Sequence, residues 1–271
     1  MLLTALITPF LEDTTIDFVS LEKMLQFQFN SKVDGLVLLG TTAETPTLTN
    51  FEQRKILETA ITTKAKLGSI KKLFAGVSDN ATSRVLEKIE SFNELALDGY
   101  LISSPYYNKP PQNGLIQHFL ECSKATIKDI ILYNIPGRTA VNFLPNNLVE
   151  LLKQTSNIKY IKESSGNLSQ MMDLIALIRD NNLTTQVFCG DDDLTLPVLS
   201  IGGTGLVSVL SNIYPDQTAD LVAKKELDNF YKLLPVMRDL FKNTNPIPVK
   251  NMLFKAGKIA TDQVRLPLMR M

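Results

Sequence analysis

Lys162 closes a short apolar run, Ile158-Lys-Tyr-Ile161, and is followed at once by Glu163-Ser-Ser-Gly-Asn167. An ammonium group at the end of a buried strand is costly to desolvate, and that cost favours the neutral amine. A neutral amine can attack a ketone, lose water and become a protonated imine. Such an imine is an electron sink that lets a carbanion equivalent develop on the neighbouring carbon without a metal. The plainer alternative is a strand-end lysine that snorkels to solvent, as most do. The company of Lys162 favours the chemistry. Tyr133 ends the adjacent predicted strand in Tyr133-Asn-Ile-Pro-Gly-Arg138, and its phenol can carry protons to and from a carbinolamine. Thr41 and Thr42, in Gly40-Thr-Thr-Ala-Glu44, can relay them. Tyr106 and Tyr107, in Ser104-Pro-Tyr-Tyr-Asn108, suit either a proton relay or a packed aromatic loop.

Other chemistries have less to draw on. His118 is the single histidine, which argues against a zinc site of several imidazoles and against a Ser-His nucleophile pair. Its place in Gln117-His-Phe-Leu-Glu121 reads as a surface or groove position on a helix. Cys122 and Cys189 lie far apart without a metal-binding or disulfide pattern. Asp191-Asp-Asp193 could hold a metal, but a strand-to-helix turn with acids at the helix N-terminus explains it better. Asn245-Pro-Ile-Pro reads as a rigid loop without chemistry of its own. Lys plus Arg equals Asp plus Glu at 28 each, so no overall field attracts nucleic acid or an anionic membrane. The apolar N-terminus lacks a basic region and meets Pro9 quickly, so it reads as a strand. No run approaches the ~18 residues of a membrane span, and a cytoplasmic protein is the expectation.

These residues need a scaffold that brings strand ends together. Eight nearly continuous apolar runs read as strands: Leu2 to Thr8, Gly35 to Leu39, Lys72 to Val77, Gly99 to Ser103, Asp129 to Asn134, Ile158 to Ile161, Gln186 to Cys189 and Gly205 to Val209. Such runs suit parallel strands covered by helices, and the segments between them have helical spacing. Thr49 with Glu52, and Pro145, mark helix starts. The pattern predicts an α/β fold, a (β/α)8 barrel over residues 1–212, with an appended helical region over 213–271. An open doubly wound sheet fits less well, because Gly202-Gly-Thr-Gly is not the dinucleotide fingerprint. In a barrel the reactive groups belong at the C-terminal ends of strands, which is where the lysine, tyrosines, threonines and Arg138 fall.

Taken in order and spacing, the motifs ending strands two, four, five, six and seven, with Asn245-Pro-Ile-Pro-Val-Lys250, resemble those of the dihydrodipicolinate (4-hydroxy-tetrahydrodipicolinate) synthase family. That family belongs to the pyruvate-dependent class I aldolases, which include N-acetylneuraminate lyase. The resemblance runs from Thr4 to about Leu268. It implies that Lys162 forms a Schiff base with pyruvate and that Tyr133 is the adjoining acid/base. Thr41 and Tyr107 would complete the relay, Tyr107 crossing from a neighbouring subunit. Thr42 and the backbone at Val207 would hold pyruvate, with Gly190 close by. Arg138 would bind the carboxylate of L-aspartate 4-semialdehyde, a task suited to a bidentate guanidinium. No metal or organic cofactor is implied, and the assembly would be a homodimer or homotetramer serving lysine and diaminopimelate biosynthesis.

Three departures stand out. Ala43 occupies a position that is usually glycine in the family. Arg84, Asn50 and Gln53 replace the acid and imidazoles of a lysine-binding site found in some members, which implies weak or absent inhibition by lysine. The sequence ends at Met271, where relatives continue into a further helix, so the 213–271 region is expected to be shortened. Two rivals remain: an aldolase of the same family acting on a sugar acid, which would not need Arg138, and a barrel that binds without turnover.

Overall fold

A computed structural model describes all residues, 1–271. Its strands are β1 (Leu2–Ala5), β2 (Gly35–Leu38), β3 (Lys72–Gly76), β4 (Gly99–Ser103), β5 (Asp129–Asn134), β6 (Ile158–Glu163), β7 (Gln186–Cys189) and β8 (Gly205–Ser208). They form a closed barrel in sequence order, and the paired neighbours run parallel. Helices alternate with them: α1 (Phe18–Phe29), α2 (Asn50–Lys66), α3 (Thr82–Phe92), α4 (Gln112–Lys124), the short α5 (Pro136–Thr139), α6 (Pro145–Leu152), α7 (Leu168–Asp180) and α8 (Thr195–Ser200). After β8 come α9 (Pro215–Lys224), α10 (Leu227–Asp239) and α11 (Ile247–Lys255). This is the (β/α)8 architecture expected from the alternation of apolar runs and helical spacing.

Local chemistry explains the boundaries. Thr49 and Glu52 form a reciprocal capping box at the start of α2, and Pro145 occupies the first turn of α6, where its missing N–H costs nothing. α9 ends at Lys224 because Lys225 takes a left-handed backbone (φ 57°), and α10 starts afresh at Leu227. β6 reaches Glu163 rather than Ile161, so Lys162 lies within the strand.

The chain packs as two compact units, Met1–Ala75 with Val207–Met271, and Gly76–Leu206. In the first, Asn212 donates to the carbonyl of Ala5 (2.8 Å) and accepts from the N–H of Ile7 (3.1 Å), tying the chain after β8 to β1. Its core includes Leu3, Phe10, Leu36, Leu57, Val249 and Leu253. In the second, Ile102, Ile131, Leu132, Ile161 and Phe188 are fully buried on β4 to β7. Strand faces that are apolar on both sides are the price of covering a parallel sheet with helices. No helix is long and apolar enough to cross a membrane.

Candidate active site

Parallel register sets the first part of the site. Tyr133 on β5 lies opposite Lys162 on β6, and Asn134 lies opposite Glu163. Side chains alternate across a strand, so the first pair shares one face and the second pair the other. Lys162 is only 6% exposed, and its amine nitrogen sits 4.1 Å from the centroid of the Tyr133 ring. Gly190, one residue past β7, passes close beside this lysine. A Cβ at that position would fall 1.8 Å from Ser164 Oγ and 2.8 Å from Lys162 Cε, so only glycine leaves room for the lysine stem. The N–H of Gly190 donates to the Glu163 carbonyl (2.9 Å), which fixes the approach. The neighbouring Asp191 carboxyl is pushed up to about 6 by burial, against the opposing pull of the Lys162 charge.

The opposite face of β5 and β6 carries a polar set that the sequence reading missed. Asn134 Nδ2 donates to Glu163 Oε2 (2.9 Å) and to Asn142 Oδ1 (2.9 Å), and its own Oδ1 accepts from the N–H of Phe143 (3.0 Å). Asn142 in turn donates to Gln170 Oε1 (2.7 Å) on α7, and the N–H of Ser165 donates to Glu163 Oε1 (2.7 Å). Burial raises the Glu163 carboxyl above the usual range, although these bonds pull the other way. The signal was available: Asn134 and Glu163 are polar residues at the ends of runs that are otherwise apolar.

The other expected residues of this unit lie on α5 and on the loop after β4. Arg138 lies on α5, exposed to solvent. Tyr107 is 85% exposed on the loop after β4, with a left-handed backbone (φ 72°) that is uncommon for an aromatic residue. His118 is corrected: it is neither on the surface nor in a groove but buried within α4. Its Nδ1 is 2.9 Å from Thr82 Oγ1, and burial lowers its pKa to about 4. Asp191-Asp-Asp193 is the expected strand-to-helix turn with acids at its start, although no side-chain capping bond is made. Asp192 and Asp193 enter a 3-10 turn, with Asp191 at the capping position.

In the other unit, Thr41 and Thr42 occupy a 3-10 turn, Thr41–Ala43, directly after β2. Thr42 is buried, and its Oγ1 accepts from Asn245 Nδ2 (2.9 Å). Asn245 was expected to be an inert loop residue, but it is buried and bonded to an expected substrate-binding residue. The helix after it, α11, begins at Ile247. Val207 is fully buried within β8.

A barrel with a buried lysine packed on a strand-end tyrosine, free of a side chain at position 190, has the features expected of imine chemistry. Comparison with known proteins agrees. The sequence profile of the Dihydrodipicolinate synthetase family matches residues 1–271. The chain belongs to the dihydrodipicolinate synthetase family. It is 42% identical to the 4-hydroxy-tetrahydrodipicolinate synthase of Endomicrobium trichonymphae, over 99% of this chain and 91% of that protein. It is 38% identical to the synthase of the same name from Methanocaldococcus jannaschii, over 98% and 91%. The crystal structure of dihydrodipicolinate synthase from Thermotoga maritima superposes with a TM-score of 0.94 at 35% identity, covering 100% of this chain and 92% of that one. As a member of the dihydrodipicolinate synthetase family the chain is an enzyme, a lyase with 4-hydroxy-tetrahydrodipicolinate synthase activity.

Proposed function

We propose that the synthase condenses pyruvate with L-aspartate 4-semialdehyde through an imine on Lys162, with these residues in the following roles. Lys162 Nζ attacks the pyruvate ketone, Tyr133 supplies the proton that lets water leave, and Thr41 with Tyr107 returns protons to it. Loss of a proton from the methyl carbon gives the enamine, which adds to the aldehyde. Attack of the substrate amine on the imine carbon closes the ring and releases the lysine. Thr42 and the backbone at Val207 hold the pyruvate carboxylate, Gly190 leaves space beside the lysine, and Arg138 takes the carboxylate of the aldehyde. Holding both carboxylates makes carbon-carbon bond formation effectively intramolecular.

The observation that carries this reading is the buried Lys162 amine lying on the Tyr133 ring. The exposed, left-handed Tyr107 supports a role for that side chain across a subunit boundary, in a homodimer or a homotetramer of two such dimers. Residues 213–271 serve the barrel as an appended helical region, and the enzyme works in the cytoplasm.

Borohydride reduction in the presence of pyruvate, read by intact mass and peptide mapping, tests the chemistry. The expected product is a single reduced pyruvyl adduct on the peptide containing Lys162, absent in Lys162→Ala. A well-folded protein that gives no adduct would overturn the reading in favour of a barrel that binds without turnover. Arg138→Ala distinguishes the substrates: it should raise KM for the semialdehyde by about tenfold or more, whereas an aldolase acting on a sugar acid would be unaffected.

A further inference from the structure

The threonine turn is held in an unfavourable backbone. Leu39 and Glu44 flank it, and both have φ of 55°, a left-handed region that residues with a Cβ adopt only when something over-determines them. No strand register reaches this turn; it closes on itself through the N–H groups of Ala43 and Glu44, which donate to the carbonyls of Gly40 (3.1 Å) and Thr41 (3.0 Å), and side-chain contacts tie it to the rest of the unit. The C-terminal segment of the same unit supplies them. Glu44 is buried, with Oε1 accepting from Lys250 Nζ on α11 and Oε2 from the backbone N–H of Arg265 (2.8 Å). Lys250 is itself fully buried, donates to the Gln263 carbonyl (2.9 Å) and sits 4.0 Å from the centroid of the Phe10 ring. The Arg265 guanidinium donates to the carbonyls of Thr14 (2.9 Å) and Thr47 (2.8 Å), and to Glu52 Oε1 (2.6 Å) at the start of α2. Asn245 bonds Thr42 directly.

Two physical points give this arrangement a purpose. A fully buried ion pair stabilises poorly, because desolvation consumes most of its Coulombic gain, and apolar residues of the same size would serve a core as well. Its directional bonds instead specify one backbone conformation for the turn. Secondly, a threonine hydroxyl has a single hydrogen. Because Thr42 Oγ1 accepts from Asn245, that hydrogen is left to donate, which is the role required toward a carboxylate.

We propose that Asn245, Lys250 and Arg265 are positioning residues, a clamp from the C-terminal segment that holds the Thr41–Thr42 turn in the shape that receives the keto acid. This rests on the reading that those threonines handle the pyruvate bound to Lys162. It assigns to residues 245–265 a role in substrate affinity in addition to any role in folding.

The test uses the full-length variants Lys250→Met, Asn245→Ala and Arg265→Gln with two readouts. In hydrogen exchange without substrate, peptides spanning 40–48 should exchange about tenfold faster than in the parent, while peptides covering β6 keep their protection. In steady-state kinetics, KM for pyruvate should rise about tenfold with kcat changed by less than about threefold. A merely structural role would speed exchange in both regions together and leave KM of the folded protein unchanged, and that result would overturn the clamp. If Lys250→Met does not fold, Asn245→Ala and Arg265→Gln decide, since both leave the buried ion pair in place. If the parent protein captures no pyruvate at all, the assignment of the site fails, and the exchange measurement still decides whether the clamp exists.

Discussion

Glu163 and Glu44 are both buried carboxylates close in sequence to a residue of the candidate site, and they are satisfied by different means. Glu163, adjacent to Lys162, accepts from the neutral donors Asn134 and the N–H of Ser165, and burial raises its carboxyl pKa. Glu44, two residues after Thr42, faces the Lys250 ammonium and the N–H of Arg265. Where the chain lies in strand register, as at Lys162, backbone pairing already fixes the reactive side chain and uncharged groups suffice behind it. At the threonine turn there is no register, and a buried charge pair ties the short backbone-bonded turn to the C-terminal segment. The contrast can be broken by matched substitutions. Glu44→Gln leaves Lys250 without its counter-charge and should cost about 3 to 5 kcal/mol. Glu163→Gln replaces one acceptor among neutral donors and should cost about 1 to 2 kcal/mol. Urea denaturation of both variants checks the order, and a larger loss for Glu163→Gln would sink the distinction. The pH dependence sharpens it. Burial lowers the Lys250 pKa to about 8 against its ordinary 10.5, so the unfolded chain binds more protons between those values and stability rises with pH across them. Removing the Glu44 charge should extend that rise to lower pH.

The same contrast explains what was legible in the sequence. Lys162 and Tyr133 could be found because each ends an apolar run, and register then brings them together without further information. The eight strands were readable for the same reason: parallel strands buried on both faces are continuous in their hydrophobicity. Asn245, Lys250 and Arg265 were not, because their partners are some 200 residues away, in the turn at 40–48, and no local pattern encodes such a pairing. His118 was misplaced because a polar residue on a helical pattern looks exposed. It is buried, with its Nδ1 2.9 Å from Thr82 Oγ1 on another helix, a partner that no local pattern reveals. The helix end at Lys225 has no mark in the sequence, because a left-handed lysine stands where a glycine would have shown it.

Register also leaves Lys162 vulnerable from its neighbour on β7. Gly190→Ala would place a methyl carbon where Ser164 Oγ and Lys162 Cε now lie within 1.8 and 2.8 Å. Ser164 Oγ can rotate away at little cost, but the lysine stem can yield only by moving its amine off the Tyr133 ring. Proton transfer and attack are sensitive to displacements of this size, so kcat/KM should fall by about a hundredfold, with a change in melting temperature of only a few degrees. Borohydride trapping at fixed pyruvate concentration should slow in parallel. Near-normal trapping in Gly190→Ala would show that the close approach is tolerated, and that register alone does not set the amine.

The smallest effect expected comes from Asp191, whose carboxyl burial raises to about 6 and whose charge faces that of Lys162. Above pH 6 the carboxylate is ionised and favours the positive charge of the iminium formed on Lys162. Below pH 6 it is neutral and that support is lost, so kcat/KM should fall by about threefold through this range. Asp191→Asn should remove this limb and hold the rate near its acidic value throughout. The stability of the fold should move in the opposite sense. A carboxyl whose folded pKa lies above its unfolded 3.8 binds a proton in the folded state that the unfolded chain has released, so between those values its contribution falls as pH rises. In Asp191→Asn that slope should vanish together with the acid limb. A variant that lost one and kept the other would separate the charge that serves the lysine from the charge that strains the fold, and would place the titration on another group facing Lys162.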